Sequence, residues 1–172
     1  MVICLEGCDG SGKTHLATFL AKELRAVYIK AERPYRGPDL PAFNSMVDCA
    51  EQYGNGIVVL DRHPAISEPI YGDIIRGGHS LDQSQIENSF KGINLVIYCR
   101  TGHYTTMKNI SESRQMEGVP EFAEKIMMAY DEFFGSKLFP FSLIRYNYQL
   151  IEQSTILGYI RQAYPGECKK HD

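Results

Sequence analysis

Gly7-Cys8-Asp9-Gly10-Ser11-Gly12-Lys13-Thr14 is the stretch whose reading decides the fold. It satisfies the pattern G-x-x-x-x-G-K-[ST] in full. Glycines at these positions permit backbone conformations that side chains forbid, so successive N–H groups can turn into one cavity. A helix starting at the end of such a loop adds the positive end of its dipole, which suits a phosphate. Lys13 then reaches the terminal phosphates of a bound nucleotide, and the Thr14 hydroxyl ligates magnesium. The flanks agree. Residues 2–5 are a short apolar run, read as a buried strand, and residues 13–25 place Leu16, Phe19, Leu20 and Leu24 on one helical face. Gly7, Asp9, Gly10, Ser11, Gly12, Lys13 and Thr14 are the expected ATP contacts.

Working outward, strands are expected at residues 27–30, 57–60, 95–99 and 142–146. Helices are expected between them. One covers residues 41–53, with Phe43, Met46, Val47 and Ala50 inward, and a short one covers residues 67–76 despite Pro69. Asp82 caps a helix reaching Phe90, a helical turn spans residues 104–110, and a last helix runs over residues 150–164. Pro120 suits a first helical position, and Phe122, Ile126, Met127, Tyr130 and Phe134 share a face behind it. Strands that alternate with helices imply an α/β, three-layer P-loop NTPase fold with a five-stranded parallel sheet. A single domain is expected over residues 1–172, with a polar segment at residues 111–118.

The 172 residues fit one core, and 44% hydrophobic with 23% charged residues is a globular balance. No apolar run nears the roughly 20 residues of a membrane span. No secretory signal is read at the N-terminus. The five cysteines are odd in number and form no C-x-x-C pair, so they are read as reduced thiols and the expected location is cytoplasmic. The five histidines show no metal-ligand spacing. A net charge of -3 offers no global field for a polyanion, though it leaves room for a local basic cleft.

Asp61 follows the third strand, at the sheet edge where ligands bind in such folds. Its carboxylate can hold magnesium through water or accept the proton of an attacking hydroxyl. Arg62 can clamp a phosphate bidentately. A structural Asp–Arg pair at a strand end is the plainer alternative.

Residues 2–14, a strand followed by E-G-x-D-G-S-G-K-T, resemble the opening of the thymidylate kinases. Glu32-Arg33-Pro34 is similar to that family's R-E-P segment, Asp61-Arg62-His63 to its D-R-[YH] motif, and residues 112–134 to its lid and following helix. The resemblance implies that Asp9 touches the acceptor sugar, that Arg33 and Arg62 hold the acceptor phosphate, and that Arg114 closes on the transferring group. Arg100 and Lys108 are further cations that could serve the lid. The stretch between Pro34 and Asp61 is shorter than in thymidylate kinases, which implies a trimmed acceptor wall. The run S-E-x-x-Y-G, from Ser67 to Gly72, resembles a divergent group of phage-encoded P-loop kinases, some acting on modified pyrimidines. A phage source would place the protein in the host cytoplasm. In that run Glu68 is a candidate to bond a base or sugar and Tyr71 to stack on a base, against simple helix packing.

The resemblance implies a kinase using ATP and magnesium on a deoxynucleotide acceptor, first a pyrimidine deoxynucleoside monophosphate. Alternatives are the hydroxyl of a modified pyrimidine, such as 5-hydroxymethyluracil, in a DNA substrate, and a deoxynucleoside. A homodimer stays open. Tyr146 and Tyr148 are candidates to flank adenine, with packing as the simpler role.

Overall fold

The computed structural model describes residues 1–31, 39–53, 55–113, 116–136 and 139–168. Among them, five strands form a parallel sheet: β1 (Val2–Glu6), β2 (Val27–Lys30), β3 (Val58–Asp61), β4 (Leu95–Cys99) and β5 (Ser142–Tyr146), in the order β2-β3-β1-β4-β5. The helices are α1 (Lys13–Glu23), α2 (Leu40–Tyr53), α3 (Pro64–Tyr71), α4 (Gln83–Phe90), α5 (His103–Glu112), α6 (Val119–Ser136), α7 (Gln153–Ala163) and the short α8 (Pro165–Cys168). The chain is α/β with helices on both faces of the sheet, as the alternation of strands and helices predicts.

Period-two alternation sends the strand side chains to two cores. Cys4, Leu60, Val96 and Tyr98 pack under α3, α4 and α6. Ile3, Leu5, Val59 and Ile97 pack under α1 and α7. β1, β3 and β4 are buried on both faces, and the edge strands β2 and β5 are only partly covered. The chain crosses over β1 between β3 and β4, so the crevice at the carboxyl end of β1 is a topological switch point. Register puts Leu5 opposite Asp61 and Glu6 opposite Tyr98. The Gly-rich loop after Glu6 and the segment after Asp61 therefore emerge side by side.

Several elements differ from the sequence expectation. Met46 is 46% exposed on α2, whereas Val47 is buried as expected, with Leu40 beside it, and Phe43 and Ala50 pack against the core. The helix expected from residue 67 starts at Pro64, because the His63 imidazole Nδ1 accepts the Ala65 N–H at 3.1 Å and caps it. It passes into a π-helical turn at Gly72–Arg76 that closes on the Gly78 N–H bonded to the Gly72 carbonyl. The turn near Tyr104 is a full helix, α5. α7 starts at Gln153 and not at residue 150, since the Leu150 and Ile151 amides turn back to the Asn147 carbonyl. Asp82 caps α4 as expected, in a capping box with Gln85. In the stretch at about residues 108–119 that the resemblance makes a short lid, residues 108–112 end α5 and Val119 opens α6.

Candidate functional site

The loop between β1 and α1 is shaped by close approaches that only glycine allows. Gly10 has φ +74°, and a Cβ there would lie 2.8 Å from the Thr106 carbonyl of α5. A Cβ on Gly12 would lie 2.7 Å from the Tyr148 ring. The Asn109 side-chain amide donates to the Gly10 carbonyl at 2.8 Å and to the Tyr148 hydroxyl at 2.9 Å, pinning the loop between α5 and the segment after β5. The Ser11 hydroxyl is buried with no hydrogen-bond partner among the described residues. Lys13 donates to the Cys8 carbonyl at 3.2 Å and stands 4.0 Å from an Asp9 oxygen. Burial pushes its pKa below the ordinary value, and repulsion from Arg62 adds to this. A curled loop with a spare buried hydroxyl and an inward, ill-satisfied cation fits a bound polyphosphate.

The Thr14 hydroxyl donates to Asp61 Oδ2 at 2.7 Å, and Tyr28 donates to the same oxygen at 3.1 Å. Asp61 is buried at the end of β3. One hydroxyl and one carboxylate form the sparse oxygen set that suits Mg2+, an ion that keeps most of its waters and takes the rest from phosphate.

Beside this pair stands Arg62, at φ +75°. A left-handed conformation costs a non-glycine residue about 1–2 kcal/mol, so neighbouring bonds must hold it. Its Nη2 donates to Asp9 Oδ1 at 3.0 Å and to the Tyr71 hydroxyl at 2.8 Å. Its Nη1 donates to the Tyr130 hydroxyl at 3.1 Å. The guanidinium carbon lies 4.6 Å from the Tyr71 ring centroid, within cation–π range. Tyr71 donates to Asp9 Oδ2 at 2.7 Å. Burial pushes the Asp9 pKa up, but Arg62, Lys13 and the Tyr71 bond outweigh it and leave Asp9 below the usual carboxylate range. Arg62 is the reverse case. Burial opposes its charge, and Tyr71, Tyr130, Asp9 and Glu6 together hold its pKa well above the ordinary value.

The structure thus gathers Asp9, Lys13, Thr14, Asp61, Arg62 and Tyr71 around one crevice. Glu68 is ion-paired with Arg76, away from that cluster's bonds. Arg100 is paired with Asp131 at 3.1 Å, and Lys108 lies 3.8 Å from Glu112. Arg33 and Arg114 lie outside the described residues. His63 caps α3 and meets Phe43 edge-on. Burial lowers its pKa to about 3, which keeps the capping nitrogen free to accept. Tyr146, largely buried, and the more exposed Tyr148 both line an open cavity of about 540 Å³ with Gly12, His15, Phe19 and Asn109.

Sequence reading assigned no role to Glu6 or Asn109. Glu6 is fully buried at the end of β1. Its Oε1 accepts the His63 N–H at 2.6 Å, and its Oε2 accepts the Tyr130 hydroxyl at 2.9 Å. A charged residue closing an apolar strand was the available signal, since a buried carboxylate requires partners.

No family model matches the chain, and no curated protein matches it. Solved structures do. The YorR protein from Bacillus subtilis, in complex with phosphorylated GDP, is similar over 100% of both chains, with a TM-score of 0.73 and 20% identity. The deoxyadenosine kinase from M. mycoides with dCMP and dCDP bound is similar over 96% of this chain and 100% of its own, with a TM-score of 0.62 and 16% identity. The same kinase with dCTP gives a TM-score of 0.59 and 19% identity over 96% of this chain and 100% of its own. The chain therefore has a P-loop kinase-like fold.

Proposed function

We propose that this protein transfers the terminal phosphoryl group of ATP to a deoxynucleotide, first a pyrimidine deoxynucleoside monophosphate. The observation that carries the reading is the Thr14–Asp61 contact of 2.7 Å. This oxygen pair would hold magnesium close to the cluster in which Lys13 and Arg62 both approach Asp9, at 4.0 and 3.0 Å. The loop amides and Lys13 grip the donor phosphates, and the cavity beside Tyr148 and Phe19 receives the donor base. Thr14 and Asp61 would hold magnesium, which would supply charge neutralisation for the donor phosphates. Arg62 binds the acceptor phosphate from the opposite side, and Asp9 meets the acceptor sugar. The acceptor oxygen attacks the terminal phosphorus, that phosphorus–oxygen bond to the donor breaks, and ADP leaves. Such a reaction needs positioning and fixed charge more than covalent chemistry from the protein. Arg33 and Arg114 are proposed as further phosphate-binding cations. Glu68 is proposed as a base or sugar contact that is released from Arg76.

A deoxynucleoside acceptor is the second reading. Its support is the pairing of Arg62 with Asp9 at 3.0 Å, which spends much of the cation's charge before any acceptor phosphate arrives. The likeness to a deoxyadenosine kinase fold agrees with it. One experiment separates these readings from transfer onto DNA. Labelled ATP and magnesium are incubated with deoxynucleosides, their monophosphates, and DNA carrying plain or hydroxymethylated pyrimidines. Label in pyrimidine diphosphates is the expected result. Label only in nucleoside monophosphates moves the reading to a nucleoside kinase. Label only in DNA, or no acceptor-dependent transfer, overturns it.

A further inference from the structure

Glu6 reaches Arg62 through its neighbours from two directions at once. Its Oε1 accepts the N–H of His63, the residue that follows Arg62, at 2.6 Å. Its Oε2 accepts the Tyr130 hydroxyl at 2.9 Å, and that hydroxyl accepts the Arg62 Nη1–H at 3.1 Å. Main chain on the other side of Arg62 is fixed as well, because its own N–H donates to the Leu5 carbonyl at 3.0 Å. The left-handed turn at Arg62 and the tip of its side chain therefore share one anchor, a carboxylate with no exposed surface. An ordinary strand-end carboxylate would satisfy the backbone alone. Here the second oxygen reaches, through a phenol 124 residues away in sequence, to the far end of the same arginine. A buried donor–acceptor chain of this kind has one polarity: guanidinium to phenol to carboxylate.

We infer that Glu6 and Tyr130 are positioning residues for Arg62, holding its guanidinium where an acceptor phosphate is bound; the acceptor half of this inference rests on the proposed function. Glu6 itself meets no substrate, because it is sealed beneath the loop and α6. Asp9 and Tyr71 hold only Nη2. Loss of Tyr130 leaves Nη1 free to turn while Nη2 stays fixed, so the guanidinium pivots instead of detaching.

The test uses the full chain and two variants. Tyr130→Phe keeps the ring, and with it the packing against Tyr98 and Phe134. Glu6→Gln keeps an acceptor for His63 but cannot accept the phenol proton at the amide nitrogen. Kinetics with ATP and thymidine monophosphate as acceptor should show the acceptor KM rising roughly tenfold in both variants, from loss of one charge-assisted contact. The ATP KM should stay within about twofold of wild type. NMR of the Arg62 guanidinium, without any ligand, supplies a second readout. Slowly exchanging Nη1 protons are expected in wild type and averaged ones in Tyr130→Phe. If Glu6→Gln does not fold, Tyr130→Phe alone decides. A wild-type protein that does not phosphorylate thymidine monophosphate refutes the proposed function for that acceptor, and the NMR result then supports or overturns the positioning. An unchanged acceptor KM in an active enzyme overturns the inference, as do Nη1 signals that Tyr130→Phe leaves unaltered.

Discussion

Lys13 carries its charge in a place that resists it. It is buried, repelled by Arg62, and among the described residues has only the Cys8 carbonyl as a hydrogen-bond acceptor, with Asp9 at the limit of ion-pair distance. Its position answers to a ligand's needs more than to the fold's. Lys13→Met should therefore keep or slightly raise the melting temperature while lowering kcat at least about hundredfold, as expected when a charge-stabilising donor is removed. A matching loss of melting temperature, or retained turnover, would contradict the loop's role as donor site. Glu6 makes a different demand. Burial raises its pKa from 4.5 to about 7, against the opposing pull of Arg62 and the His63 amide. Below 4.5 the folded and unfolded chains both hold the proton, and this residue's stabilising term is complete. As pH rises toward 7 the unfolded chain releases the proton first, so stability is lost over that window and is level above it. The difference is about 3 kcal/mol. Urea unfolding of wild type and Glu6→Gln at several pH values measures it. The wild type should lose stability relative to the variant between those limits, and parallel curves would refute the assignment. Lys13, Thr14 and Asp61 were legible from local spacing and strand-end position. Glu6 with Tyr130 and Gly10 with Asn109 were not, because those bonds join residues 124 and 99 positions apart.

The loop and α5 form one packed unit. Elements whose signal is local were legible: Asp82 with Gln85 is a capping box on the page of the sequence itself, and β1, β3 and β4 are unbroken apolar runs. Elements governed by tertiary bonds shifted. α3 starts early because a buried His63 serves as cap, a role that Ser, Thr, Asp or Asn usually takes. α7 starts late because Asn147 organises a turn ahead of it. The same dependence gives a prediction for the loop. Gly10→Ala combines a positive φ, costing about 1–2 kcal/mol, with a Cβ 2.8 Å from the Thr106 carbonyl, a backbone atom in a helix that cannot turn aside. Either the loop or α5 must move, and the Asn109 bond to Gly10 breaks with it. The variant should lose at least about 1 kcal/mol of stability and should bind ATP at least roughly tenfold more weakly. Calorimetric titration of ATP checks the second effect. Unchanged affinity would mean that the loop shape is not what holds the donor.

At the scale of the molecule, the crossover from β3 to β4 over β1 brings the two polar segments to one crevice, with a separate core beneath each face of the sheet. That much follows from alternating strands and helices and the handedness of their connections. The proposed acceptor side did not follow, because it rests on α3 and α6 meeting over Arg62. What the whole chain adds is its charge. A net charge of -3 must be overcome locally by any polyanion. Arg100 is paired with Asp131 and so does not lie free to track a phosphate backbone. Transfer to a free nucleotide should accordingly depend weakly on salt, with kcat/KM changing less than about threefold between roughly 50 and 200 mM. A DNA acceptor held through six or more phosphates would lose about a thousandfold in affinity over that range as counterions compete. Measuring acceptor kinetics and DNA binding across the same salt series discriminates between them. A steep loss, with a log–log slope of about -5 or beyond, would show that a strand of DNA is the acceptor and that the cations holding it are not the ones paired here.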